Sequence, residues 1–204
     1  MPLVVLGTKN RKKAAELVDL LAPAGVQVQT LADYPLALEV DETGDSFAAN
    51  AALKATAQAR QLGVWVLGED SGLVVDSLDG APGIYSARYS GPDATDEKNN
   101  QRLLAELGDT PLAKRTAHYV CRMALSDPTG TVRAECGGKC FGRIRFEPAG
   151  SAGFGYDPLF EVVEYHRTFG ELGEAVKAVL SHRARAVEAF IPLVWTLVGS
   201  GAWK

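Results

Sequence analysis

The amino-acid sequence predicts an α/β protein: a sheet flanked by helices, built from one chain in two lobes around a cleft. Three observations carry this expectation. The first third alternates short apolar runs with helical patterns, the signature of a sheet with helices on its faces. The middle holds two long β-rich stretches around Asp127-Pro128-Thr129-Gly130, a hairpin signal with a turn of several residues. No internal repeat or low-complexity linker divides the 204 residues, a length that suits one large domain or two small lobes.

In order, a strand is expected over 3–7, then a helix over about 11–22 whose Ala14, Leu17, Val18 and Leu21 recur at helical spacing. Pro23 and Gly25 close it. A strand over 26–30, a helix over about 46–61 capped by Asp45 or Ser46, and a strand over 64–68 follow. Asp96–Leu107 reads as a helix with Leu103, Leu104 and Leu107 on one side. The β stretches span about 115–126 and 131–141, and a Gly/Pro-rich loop runs from Glu147 to Pro158. The last helix, about 182–198, is expected to turn Val187, Phe190, Ile191, Val194 and Val198 inward, with Pro192 as a kink and Ser181 as its cap.

Composition excludes several classes. A net charge of −4 disfavours nucleic-acid binding, which needs a broad positive surface. The apolar run at the N-terminus is too short for a signal peptide, and Phe190–Val198 is too short to span a bilayer, so a cytoplasmic protein without membrane attachment is expected. Cys121, Cys136 and Cys140 make an odd count that fits reduced thiols, and they lack the second ligand pair of a zinc site.

Lys9, Arg11, Lys12 and Lys13 crowd the first turn of the first helix. That end already carries the positive pole of the helix dipole and unpaired N–H groups, so cations there suit an arriving anion. A solvated basic face is the alternative. Next, the apolar strand before Gly68 runs into Glu69, Asp70 and a Ser71-Gly72 turn. Ligands of open α/β sheets bind beyond the carboxyl ends of strands, and magnesium needs only one or two carboxylates besides phosphate. An acidic surface turn is the plainer reading. Asp41 and Glu42 precede the helix on which Asn50 and Lys54 share a face. Later, Gly153-Phe154-Gly155-Tyr156-Asp157-Pro158 sets aromatics between glycines, where a ring face suits a base. Lys177 and then Ser181-His182-Arg183 repeat the pattern of cations near a helix start. Cations for phosphate, acids for magnesium and an aromatic for a base suggest a magnesium-dependent nucleotide-binding enzyme. Neither a P-loop nor a dinucleotide fingerprint is present.

These pieces together resemble one family, the inosine triphosphate pyrophosphatases, also called non-canonical purine NTP pyrophosphatases or Ham1-like proteins. Thr8-Lys9-Asn10-Arg11-Lys12-Lys13 is similar to the family's T-G-N-x-x-K, with Lys9 for the usual glycine. Glu42-Thr43-Gly44, Asn50-Ala51 and Lys54-Ala55 resemble its E-T-G, N-A and K-A positions. Glu69-Asp70-Ser71-Gly72-Leu73 resembles D-D-S-G-L, with glutamate for the first aspartate. The loop Gly80–Gly91, Phe154–Asp157 and Ser181–Arg183 complete the set in order along almost the whole chain.

The resemblance implies an elongated, twisted mixed sheet around a central nucleotide-binding cleft, and a homodimer. It implies hydrolysis of ITP, dITP and XTP to the monophosphate and pyrophosphate, with Mg²⁺ as cofactor. Asp70 would be the general base and, with Glu42, a metal ligand. Thr8, Asn10, Lys13 and Ser71 would hold phosphates, with Lys9, Arg11, Lys12 and Lys54 adding charge. Phe154 would stack on the base within Gly155-Tyr156, with Asp157, Lys177, His182 and Arg183 around its edge. A Maf-like pyrophosphatase for other nucleotides, or a nucleotide-sensing module without turnover, are the competing readings.

Overall fold

The computed structural model describes residues 1–203. Seven strands form one mixed sheet: β1 (Leu3–Leu6), β2 (Gln27–Thr30), β3 (Val66–Val75), β4 (Thr116–Ser126), β5 (Val132–Ile144), β6 (Phe160–Val162) and β7 (Arg167–Thr168), in the order β2-β1-β3-β4-β5-β6-β7. β1 pairs in parallel with β2 and β3, while β6 pairs antiparallel with β5 and β7. The helices are α1 (Arg11–Leu21), α2 (Phe47–Leu62), α3 (Asp96–Leu107), α4 (Phe169–Leu180) and α5 (His182–Gly199). Among the described residues no helix is long and apolar enough to cross a membrane.

The chain divides into two compact units. The first comprises Met1–Asp70, Cys121–Gly138 and the segment from Arg183 on. Here β1 is buried on both faces, with Val4, Val5 and Leu6 inaccessible, as expected of a parallel strand covered by helices. Leu17 and Leu21 of α1 and Val187, Phe190 and Val194 of α5 join its main core, and Trp203 stacks on Trp65 at 4.8 Å. The chain leaves β1 through α1 to β2 on one side, and returns through α2 to β3 on the other. That reversal is a topological switch point, and the carboxyl ends of β1 and β3 are where such sheets bind ligands.

Helix α2 carries two buried stripes. Ala51, Ala55 and Ala59 form a small-residue stripe, and Asn50, Lys54 and Gln58 form a polar one beside it. The alanines let the helix backbone close on β3: a Cβ at Gly68 would lie 2.1 Å from the Ala51 carbonyl oxygen. Gly68→Ala therefore forces the helix off the strand, and should destabilise by about 1–3 kcal/mol, read as a lowered denaturation midpoint.

The second unit comprises Ser71–Val120 and Lys139–His182. Its core packs Leu73 and Val75 against Leu103, Tyr119, Phe160 and Phe169. Tyr119 meets Phe160 at 4.6 Å, and Phe160 stacks on Phe169 at 5.6 Å.

Most expected elements lie within a few residues of their observed bounds; β6 and β7 were not expected, and three further differences stand out. The third strand continues to Val75, through the acids read as a turn. A helix covers 169–180, where no element was expected; Gly173 has non-helical angles inside it. In α5, Val198 is 38% exposed, and Leu197 packs on the core instead.

Candidate active site

The first unit gathers the acids and lysines. Ser46 caps α2, its hydroxyl accepting from the Ala49 N–H at 3.3 Å. The polar stripe that follows arranges the cluster. Lys54 donates to Asp70 Oδ1 at 2.9 Å and to the Glu69 carbonyl at 3.0 Å, and pairs with Glu42 Oε1 at 2.6 Å. Three acceptors thus match the three protons of its ammonium. Asn50 donates to Asp70 Oδ2 at 3.3 Å and accepts from the Gly44 N–H at 2.8 Å. Gln58 holds the Leu38 backbone through both its amide groups. One helix face therefore fixes the base candidate and the loop that carries Glu42.

Asp70 is 4% exposed. Burial pushes its carboxyl above the ordinary aspartate range, and the opposing pull of the Lys54 charge only partly offsets this. Lys54 titrates above its usual value: burial opposes its charge, and Asp70 and Glu42 outweigh that.

Glu69 and Asp70 do not share a turn. They are successive residues inside β3, so their side chains leave opposite faces of the strand. Asp70 meets α2, whereas Glu69 meets α1 and α5. Glu69 Oε2 lies 3.2 Å from Lys13 Nζ, and Oε1 accepts from Arg183 Nη2 at 3.2 Å. Arg183 also pairs with Glu16 and is 1% exposed. The repulsion expected between adjacent acids is removed by geometry and by separate cations, which is why the strand passes through them.

The basic run divides. Asn10 caps α1, its side chain accepting from the Lys12 and Lys13 N–H groups, and Thr8 Oγ1 accepts from the Asn10 N–H at 3.2 Å. Lys13 turns inward to Glu69, Lys9 pairs with Glu39 at 2.9 Å on the surface, and Arg11 and Lys12 are exposed.

The second unit holds the aromatic group. Asp157 Oδ2 accepts from Lys177 Nζ at 2.7 Å and from the Phe154 N–H at 2.9 Å, and Oδ1 accepts from the Tyr119 hydroxyl at 3.3 Å. Lys177 lies on α4, with Nζ 4.2 Å from the centre of the Phe154 ring. His182 stacks on Tyr119 at 4.6 Å. Tyr156 is buried and donates its hydroxyl to the Ser86 carbonyl at 2.8 Å. Ser71 begins this unit on β3.

Asn50, Gln58, Glu16 and Tyr119 were not among the expected site residues. The i, i+4 spacing of Asn50, Lys54 and Gln58 was the readable signal for two of them. Glu16 and Tyr119 have no local signature, because their partners lie 167 residues away for Glu16 and 38 for Tyr119 with Asp157.

Glu42 and Asp70 offer two hard carboxylate oxygens to one shared cation, Lys54 Nζ. Among the described residues no three His, Cys, Asp or Glu side chains gather as a metal cage. Two carboxylates with the remaining ligands from phosphate and water is a donor set that suits Mg²⁺.

A carboxylate on β3 just past the carboxyl end of its neighbour β1, with lysines around it, defines the class: an α/β protein equipped to place a polyanion beside a buried carboxylate. The chain belongs to the Ham1 family, whose family model matches residues 4–193. It is 53% identical over 199 residues to a dITP/XTP pyrophosphatase of Rhodopirellula baltica, covering 98% of this chain and 96% of that one. It is 50% identical to a dITP/XTP pyrophosphatase of Exiguobacterium, covering 90% and 92% of the two chains. In fold it is similar to the HAM1 protein of Coxiella burnetii, with a TM-score of 0.86 at 35% identity over 95% of this chain and 98% of that one.

Proposed function

We infer that this chain is a nucleoside triphosphate pyrophosphatase that hydrolyses non-canonical purine nucleotides such as dITP, ITP and XTP to the monophosphate and pyrophosphate. This activity cleanses the nucleotide pool. The observation that carries the reading is the buried Asp70, held by Lys54 and Asn50; relatives that share half of its sequence bear the name dITP/XTP pyrophosphatase.

Asp70 accepts the proton of a water molecule as that water adds to phosphorus of the α–β anhydride; the anhydride P–O bond breaks and pyrophosphate leaves. Burial makes Asp70 a stronger base than an exposed aspartate. Asn50 and Lys54 fix both its oxygens, so the accepting lone pair is aimed before substrate arrives. Lys13 and the donors of the Thr8–Asn10 loop meet the triphosphate charge at the end of β1. Glu42 and Asp70 would hold Mg²⁺, which would supply charge neutralisation and acidify water. Glu69, committed to Lys13 and Arg183, positions the lysine and is not assigned to the metal.

Phe154 offers a face for the base, with Asp157 and Lys177 at its border. A 6-oxo purine presents an acceptor where adenine presents an amino donor, so a protonated Lys177 favours the oxo form. The family resemblance further supports a homodimer acting in the cytoplasm, which sedimentation and fractionation test.

With magnesium, pyrophosphate release should be fast from dITP and XTP and slower by orders of magnitude, about 10²-fold or more, from dATP and dTTP. Equal release from dATP would discard the base assignment. Tight binding of every nucleotide without release would make the protein a sensor.

A further inference from the structure

We infer that Asp96 and Asn100 of α3 are positioning residues for the Phe154 ring; the inference rests on the reading of Phe154 as the platform for the base. Both polar groups of Gly155, the residue after Phe154, are held by these two side chains. The Gly155 N–H donates to Asp96 Oδ2 at 3.0 Å, and Asn100 Nδ2 donates to the Gly155 carbonyl at 2.9 Å. The pair is spaced i, i+4, so one face of one helix makes both contacts.

Gly155 has a φ of 64°, a conformation open to glycine and strained for other residues. A loop with such a residue at its centre is free to choose among conformations unless something outside it decides. The clamp supplies that decision on the C-terminal side of Phe154. On the ring residue's own N–H, Asp157 does the same at 2.9 Å.

The helix that carries the clamp is itself fixed. Thr95 caps it, accepting from the Lys98 N–H at 3.2 Å, and Leu103 and Leu107 lie in the core. Asn99, between the two clamp residues, accepts from the Ser90 N–H at 2.8 Å and from the Ser90 hydroxyl at 2.7 Å. Its amide also donates to the Ser86 carbonyl at 3.3 Å, the same oxygen that receives the Tyr156 hydroxyl. Three residues of one turn therefore tie the Phe154 loop and the 83–91 loop to a helix that Leu103 and Leu107 anchor in the core.

A platform set before the ligand arrives spares the ordering cost of binding. The clamp touches neither water nor phosphate in the reaction, so its loss should weaken binding of ground state and transition state alike. That signature is a raised KM at nearly constant kcat.

The test is steady-state dITP hydrolysis with magnesium by the wild-type chain, D96A, D96A/N100A, D96N, F154A and the triple variant, with thermal melts as a check on folding. D96A/N100A is expected to raise KM by roughly fivefold to tenfold at near-constant kcat. D96N, which keeps an acceptor for the Gly155 N–H, should recover what D96A loses. In the F154A background the clamp mutations should add almost nothing, because both act through one ring.

An unchanged KM in D96A/N100A, while F154A alone raises it, would overturn the clamp and spare the function. So would full additivity in the triple variant. If the wild-type chain releases no pyrophosphate from dITP, the parent reading falls and takes the clamp with it. Should D96A/N100A not fold, N100A alone, which removes one partly buried hydrogen bond, is expected to shift KM in the same direction, and its failure to do so overturns the proposal.

Discussion

Asp70→Asn should lower kcat/KM for dITP by roughly 10³-fold, within the span expected for a general base, while the chain still folds. Asparagine keeps the shape and an oxygen for Lys54, but it accepts no proton at neutral pH. The fold should tolerate the change because Glu42 still holds Lys54 at 2.6 Å. Linkage points the same way. Burial raises the folded-state pKa of Asp70, so the folded chain binds that proton more firmly than the unfolded chain. Ionisation of Asp70 therefore weakens the fold as pH rises from the ordinary aspartate value through the raised one, and the amide removes this cost. Circular dichroism melts and pyrophosphate release measured on the same preparations check both halves. The wild-type acid limb of kcat/KM should fall at a pH above the usual aspartate range, since the protonated acid is no base. Near-normal turnover by the variant would remove Asp70 from the mechanism.

The second large effect is expected at Lys54. Lys54→Met takes the shared cation from Glu42 and Asp70 and leaves two carboxylates facing one methyl group. Breaking a buried pair in this way costs about 3–5 kcal/mol. The lower end is expected here, because Glu42 is partly exposed and Asp70 can take up a proton. Turnover should fall with stability, and the acid limb should move to higher pH, because the Lys54 charge had been lowering the Asp70 pKa. Magnesium then offers a readout independent of catalysis. If Glu42 and Asp70 are its ligands, millimolar Mg²⁺ should raise the melting midpoint of the variant more than that of the wild type. Equal shifts in the two proteins would dismiss this ligand pair.

Much of this was legible in the sequence. The strand and helix alternation of the first third is local: apolar runs, a cap at Ser46 and breakers at Pro23 and Gly25 each act within a few residues. The cationic start of α1 was equally plain, and Asn10 as its cap explains why the helix begins there. What failed to show is what is settled at a distance. Glu69-Asp70-Ser71-Gly72 reads as a turn because acids and glycine break an apolar run. It stays a strand because Lys13, Lys54 and Arg183 arrive from three separate helices to neutralise the acids. Helix α4 was hidden by its glycines, although Thr168 and Glu171 form a capping box at its start. The resemblance set Asp157 and Lys177 beside the aromatic loop, but their ion pair spans 20 residues, beyond any local pattern.

The alternation of β3 gives its two acids separate histories. A strand face is fixed by parity, so a single inserted or deleted residue before Glu69 would turn the glutamate to the face of α2 and the aspartate to the face of α1 and α5, with the total charge unchanged. Such a chain would keep its composition yet set a glutamate on the face where Asp70 now meets α2. The two neighbours thus answer to different partners, Glu69 to Lys13 and Arg183 and Asp70 to Lys54 and Asn50. Glutamate at position 69 can therefore be gained in place of aspartate without touching the chemistry on the other face.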